Sequence, residues 1–377
     1  MSTERGSREL TPLLRLGLLG QSVWYDYITR DLLTSGKLSR LIVEDGLRGM
    51  TSNPTIFDKA IAGSQLYDED IRRLSDQGRS PGAIFEALAV ADVRGACDAF
   101  IPLYQESGAT DGFVSLEVSP TLAHDTAGTI QEAERLREAV GRPNAMIKIP
   151  GTRAGIPAIT HCIAAGINVN VTLLFSVVRY AEVIDAFLAG MERRLDSGLP
   201  LESVASVASF FVSRVDGKVD ALLDRTPAHP LRGKIAIANA CAAYQLFDQT
   251  LNGARWERLA HAGARPQRPL WASTSTKDPR LPDVYYVEAL IAPRTVNTMP
   301  PETLEAYRDH GKPALRIQEG VDSAPARLAA LAEAGVDLDT ITRELEEDGV
   351  AKFAASYAAV VSGIEAKAGA LATAGRR

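Results

Sequence analysis

Short apolar runs with period-two alternation recur along the chain, separated by longer segments whose apolar residues return every three or four positions. The short runs predict strands at 22–27, 46–51, 112–118, 144–150, 168–175, 204–212, 269–273 and 295–299. Between them, helical spacing predicts helices such as 80–105, 126–140, 177–195 and 232–251. Strand–helix alternation implies a parallel sheet with helical crossovers. Eight strands in about 280 residues suit a (β/α)8 TIM barrel, an α/β fold for which roughly 250 residues is typical. An open doubly wound sheet is the competing arrangement, but no Gly-rich phosphate loop follows the first strand.

Two additions stand outside that pattern. Residues 56–78 carry charged helical sequence and are expected to pass over the barrel mouth. From Ala324 onward two or three more helices are expected, the last with Phe353, Tyr357, Val360, Ile364 and Leu371 at helical spacing. That stripe reads first as a helix packed on the barrel and second as the contact of a homodimer. The Ala-rich end, 366–377, is expected to fray. The 377 residues thus read as one domain, with a barrel over about 20–311 and C-terminal helices over about 312–372 packed on it.

Composition narrows the function classes. The chain has a formal charge of −6, 46% hydrophobic residues and a mean hydropathy near zero. It carries no basic block and no apolar run of membrane-spanning length, so neither nucleic acid nor membrane is an expected partner. Met1 to Leu10 is polar and lacks the apolar core of a secretory signal. Cys97, Cys162 and Cys241 are few and widely spaced, which favours a reducing, cytoplasmic setting. The five histidines fall at no metal-ligand spacing, so no metal is expected, and no other cofactor.

One residue stands out against this background. Lys148 lies in Asn-Ala-Met-Ile-Lys-Ile-Pro-Gly-Thr (144–152), flanked by isoleucines near the end of a predicted strand. Alternation puts Met146 and Lys148 on one face, with Ile147 and Ile149 on the other. Desolvation disfavours the charged amine and so favours the neutral nucleophile that a Schiff base requires. Alone, such a lysine reads more simply as one snorkelling to solvent from an edge strand. The chain holds nine lysines against thirty-two arginines, so a lysine inside an apolar strand is less readily incidental.

The other predicted strands end in polar residues, and TIM-barrel chemistry gathers at those C-terminal ends. They supply Asp26; Thr51, Ser52 and Asn53; Glu117; Asn168, Asn170 and Thr172; Ser206 and Ser209, with Phe211 and Arg214 beyond; and Ser273 with Lys277. Each has an ordinary structural reading. Asp26 can cap a helix, Asn53 before Pro54 is turn chemistry, Glu117 can pair with a buried cation, and Thr172 is a common strand residue. Together they suit carbonyl chemistry through an imine. Lys148 would attack a ketone, and Glu117 and Thr172 would move protons through a water. Asp26 would deprotonate a hydroxyl two carbons away. Asn53 and Asn170 are candidates to hold substrate hydroxyls, and Arg214 with Ser209 a terminal phosphate.

These residues also carry a family resemblance. Thr-Ser-Asn-Pro-Thr-Ile-Phe (51–57), the Glu117 run, Ile-Lys-Ile-Pro, Asn-Val-Asn-Val-Thr-Leu-Leu-Phe-Ser (168–176) and Ser-Phe-Phe-Val-Ser-Arg-Val-Asp (209–216) resemble transaldolase. Trp-Ala-Ser-Thr-Ser-Thr-Lys (271–277) and Thr-Val-Asn-Thr-Met-Pro (295–300) are similar to the longer bacterial branch of that family. The resemblance implies a class I aldolase-type barrel that transfers a dihydroxyacetone unit between sugar phosphates in the pentose phosphate pathway. It implies Lys148 as the Schiff-base residue, Asp26 and Glu117 as acid/base carboxylates and Thr172 as the residue that orients water. It further implies that Thr51, Asn53, Asn170, Ser209, Phe211 and Arg214 contact substrate. Gly151 stands where the family leads one to expect alanine, a change expected to loosen that turn. A second phosphate-binding cation has no clear match; Arg232, Lys234 and Lys277 are the candidates, Lys277 foremost. The rival functions are an aldolase that needs no acceptor, a non-catalytic sugar-phosphate sensor and, least favoured, a pyridoxal enzyme.

Overall fold

Eight segments rich in β-branched and apolar residues form the strands: β1 Gln21–Asp26, β2 Gly49–Thr51, β3 Phe113–Glu117, β4 Ala145–Pro150, β5 Val169–Leu174, β6 Ser206–Phe211, β7 Arg268–Ala272 and β8 Thr295–Met299. In the computed structural model, which describes residues 10–374, they close into a parallel barrel in sequence order. The stretch Met1 to Leu10 lies outside those residues except for Leu10. β1 joins the two ends of the sheet, with Trp24 opposite Gly49 of β2 and Thr298 of β8. Nearly every strand residue is buried, as expected of strands covered by helices on one side and packed into a barrel interior on the other. Gly49 makes room for the interior layer, since a Cβ there would sit 2.5 Å from the Trp24 indole.

The expected strands are all present, with β2 the largest departure. Residues 46–48 take no regular secondary structure, with Gly46 at a φ of 67°, and the strand begins only at Gly49. The segment after β2 forms two helices, Pro54–Ala62 and Asp68–Asp76. Both pack against the last helix, Leu338–Ala374. That helix turns its stripe inward: Phe353, Val360 and Ile364 are buried, and Tyr357 meets Phe85 edge-on at 5.5 Å. The stripe is therefore spent on the chain's own barrel.

Two expectations about the C-terminal region change. The helix before the last one begins at Ile317, not after Ala324, and contains Pro325. Its early turns are pressed against the helix Ile235–Leu251, where a Cβ at Gly320 would lie 2.3 Å from Cys241 Sγ. That close packing holds the turns ahead of the proline. The Ala-rich end is helical through Ala374, because the Lys367 ammonium docks on the Ile61 and Ser64 carbonyls and pairs with Asp68 at 2.7 Å. Residues 375–377 lie outside the described range.

Candidate active site

The C-terminal ends of the strands open into a cavity of about 650 Å³. Asp26, Thr51, Asn53, Lys148, Thr172, Ser209, Phe211, Arg214 and Lys277 all line it. Lys148 enters from β4, its side chain 5% exposed, with Glu117 beside it in the register of β3. Its ammonium stands 3.3 Å from Glu117 Oε2 and donates to the Ser52 carbonyl at 3.2 Å. Above it the Phe353 ring, carried by the C-terminal helix, lies 5.6 Å away and lines the same cavity.

The two carboxylates occupy different settings. Glu117 is 4% exposed, and Lys148 is the polar neighbour of its oxygens among the described residues. Burial raises its pKa, and the Lys148 charge opposes that rise. Glu117 lines a second, small cavity behind the main one, together with Tyr357 and Glu132. Asp26 lines the main cavity and accepts a hydrogen bond from Thr51 Oγ1 at 2.7 Å. Burial raises its carboxyl as well, against the opposing pull of Lys148, the Thr51 hydroxyl and Arg214. Thr51 is in turn 2.7 Å from Thr298 Oγ1, so β1, β2 and β8 are stitched together beside the carboxylate.

Thr172 reaches the cavity through an irregularity in β5. The register with β6 shifts between Val171 and Leu174, and Leu173 takes a φ of 60°. Thr172 Oγ1 is buried without a hydrogen-bond partner among the described residues. Gly151 accounts for part of this geometry. Its N–H donates to the Thr172 carbonyl at 2.7 Å, and a Cβ on it would fall 2.4 Å from Leu174 Cδ2. The glycine thus lets β4 and β5 approach closely where they carry Lys148 and Thr172, which corrects the expectation of a loosened turn.

Arg214 lies half-buried at the cavity wall, its guanidinium 5.0 Å from the Phe211 ring. It makes no hydrogen bond or ion pair among the described residues. Burial lowers its pKa, and Asp26 opposes the shift. Lys277 is exposed on the same wall, as is Lys59 from the helix after β2. Arg232 is instead paired with Asp220, Asp224 and Asp278, and neither it nor Lys234 lines the cavity.

Three asparagines sort by depth. Asn53 lines the cavity while its Oδ1 accepts from the Ile56 N–H, so it also caps the helix it begins. Asn170 is fully buried below the cavity, its amide donating to Ser115 Oγ and its oxygen accepting from Ser209 Oγ at 2.7 Å. It fixes Ser209, which does line the cavity. Asn168 lies at the opposite end of the barrel and ties the Pro143 and Ala145 carbonyls to the Ala205 N–H. Ser206, likewise expected among the polar strand ends, donates to the Val169 carbonyl at the start of β6. Alternation assigns a face to a residue but not a depth, which is why those two join the structural base instead.

Phe353, Lys59, Thr298 and the Ser52 carbonyl are site features that sequence reasoning does not assign. Phe353 is visible as part of an apolar helical stripe, but the stripe does not say what lies beneath it. Among the described residues no group of three or more His, Cys, Asp or Glu side chains is arranged to hold a metal ion. No helix among them is long and apolar enough to cross a membrane.

Comparison with known proteins agrees with this architecture. The family model for transaldolase/fructose-6-phosphate aldolase matches residues 23–364. A transaldolase of Parafrankia sp. (strain EAN1pec) is 50% identical over 366 residues, covering 96% of this chain and 99% of that protein. A transaldolase of Frankia alni is 52% identical over 350 residues, covering 92% and 94%. Transaldolase 2 of Nostoc sp. (strain PCC 7120) is 46% identical over 369 residues, covering 94% and 97%.

Proposed function

The chain belongs to the transaldolase/fructose-6-phosphate aldolase family and is a transferase of the transaldolase type, and from that premise we propose that it works through an imine on Lys148. The donor is a ketose phosphate, sedoheptulose 7-phosphate or fructose 6-phosphate. The acceptor is glyceraldehyde 3-phosphate or erythrose 4-phosphate, which places the reaction in the non-oxidative pentose phosphate pathway of the cytoplasm. The observation that carries this reading is the buried Lys148 at the cavity floor, 3.3 Å from a buried carboxylate and roofed by an aromatic ring.

Lys148 passes a proton to Glu117, 3.3 Å away, and the amine adds to the donor's carbonyl carbon; loss of water from the carbinolamine leaves a protonated imine. Glu117 and the unpartnered Thr172 hydroxyl serve that dehydration through a water molecule held between them. Asp26 then takes the proton from the hydroxyl two carbons away. That carbon becomes an aldehyde as the adjoining carbon–carbon bond breaks, and the released electron pair moves onto the imine as an enamine. The enamine carbon attacks the acceptor aldehyde, Asp26 returns its proton to the new hydroxyl, and water hydrolyses the product imine. Burial that raises the Asp26 carboxyl suits a group that must hold a proton in mid-cycle. Arg214, which makes no hydrogen bond or ion pair among the described residues, receives the substrate phosphate with the aid of Lys277. Thr51, Asn53, Ser209 and Phe211 shape the donor pocket, with Asn170 holding Ser209 in place.

Whether the enamine is quenched by a sugar or by a proton separates transferase from simple aldolase. The Phe353 roof favours transfer because it keeps water from the imine. Fructose 6-phosphate incubated with and without erythrose 4-phosphate, with glyceraldehyde 3-phosphate release followed by a coupled assay, tests this. Release that depends on the acceptor supports transfer. Steady release without it assigns an aldolase on the same barrel.

A further inference from the structure

At the opposite end of the barrel, the strand starts and the loops around 17–20, 109–111, 265–266 and 293–294 enclose another cavity, of about 610 Å³. The charged residues that line it are Arg48, Arg265, Arg268, Arg294 and Asp111. Four guanidiniums against one carboxylate is a concentration of positive charge in a chain whose net charge is −6. Like charges in one recess repel, so such a cluster calls for compensation.

The protein itself compensates only part of it. Arg268 pairs with Asp111 at 3.1 Å and donates to Ser22 and the Thr110 carbonyl, so its role is to tie down the loop before β3. Arg294 is exposed and pairs with Asp248 at 3.3 Å. Among the described residues Arg265 donates to a single acceptor, the Ala109 carbonyl. The Arg48 side chain is half-buried, yet it makes no hydrogen bond or ion pair among the described residues.

We propose that this basal cavity is a second binding site, for a small organic anion that carries a phosphate or carboxylate. Arg48 and Arg265 hold the anionic group, whose planar-fork recognition needs the donors that the described residues leave free. The site lies at the other end of the barrel from Lys148 and does not depend on the transfer chemistry.

Calorimetric titration of the full chain with glycerol 2-phosphate at low ionic strength tests the assignment, using Arg48→Gln and Arg48→Gln/Arg265→Gln beside the unaltered protein. All three are made in a Lys148→Ala background as well, so that an error in the catalytic reading cannot imitate a result here. Binding is expected to weaken about tenfold with Arg48→Gln and about tenfold again in the double variant, in both backgrounds. Titrations that superimpose across the variants overturn the proposal. So does binding that sodium chloride at equal ionic strength abolishes in every variant alike, the mark of an adventitious anion only. Arg48 forms no side-chain hydrogen bond or ion pair among the described residues, so Arg48→Gln is expected to melt with the unaltered protein and decides the matter even if the double variant fails to fold.

Discussion

Replacing Phe353 by alanine tests how the C-terminal helix serves the site. The ring is 5% exposed, stands 5.6 Å from the Lys148 ammonium and forms part of the cavity wall. Truncating a buried phenylalanine costs about 3–5 kcal/mol. One side of this ring faces the cavity, so the lower end applies, about 3 kcal/mol. At roughly 2.1 cal/mol/K of unfolding entropy per residue, 377 residues give about 0.8 kcal/mol/K, and the loss lowers the melting temperature by roughly 4 °C. The functional effect is separate. Without the ring, water reaches the imine, and acceptor-independent cleavage of fructose 6-phosphate should rise several-fold relative to transfer. Differential scanning fluorimetry reads the first effect, and the coupled assay with and without erythrose 4-phosphate reads the second. A melting temperature that falls as expected with an unchanged ratio of cleavage to transfer would refute the roof, leaving Phe353 a packing residue.

Other consequences are equally open to measurement. Asp26→Asn should still form the reducible imine while carbon–carbon cleavage falls by about 10²–10⁴, the usual contribution of a general base. Failure of imine formation itself would contradict the division of roles. Gly151→Ala should destabilise by about 1–3 kcal/mol through overpacking against Leu174 Cδ2, and adding Leu174→Val should recover most of the loss in urea unfolding. Asp216 accepts from the Ala236 N–H and the Tyr286 hydroxyl, and burial pushes its carboxyl up to about 7 from 3.8. Over that window the folded chain keeps a proton that the unfolded chain releases, so this group's stabilising effect is present below about 4 and is lost as pH rises toward 7. Asp216→Asn should therefore gain on the unaltered protein in urea midpoint between pH 5 and pH 8. Parallel pH dependences would contradict the buried-carboxyl account.

The barrel was legible because each strand is short, apolar and followed by helical periodicity, and β8 falls on its expected residues. β2 was overdrawn because Gly46 to Arg48 share its composition while the left-handed Gly46 bends the chain. At the site, alternation sets Lys148 on the face opposite Ile147 and Ile149, and the polar strand ends single out Thr172 and Ser209. The pattern does not reveal that Asn170 bonds Ser115 and Ser209, since that depends on neighbours from two other strands. The Ser52 carbonyl beneath Lys148 left no trace, because a backbone acceptor carries no side-chain signature. Phe353 was seen as an apolar stripe residue, and only the crossing of the last helix over the barrel mouth brings it to the lysine. Gly151 read as a departure, yet its meaning lies in Leu174, twenty-three residues away and packed against it.

The central claim is that Lys148 carries the substrate covalently. Borohydride added during turnover of fructose 6-phosphate, followed by peptide mass spectrometry, examines it directly. The account predicts a reduced dihydroxyacetone adduct on Lys148, and none in Lys148→Ala, whose turnover should also vanish. A Lys148 peptide that stays unmodified under turnover, or full activity in Lys148→Ala, would contradict it.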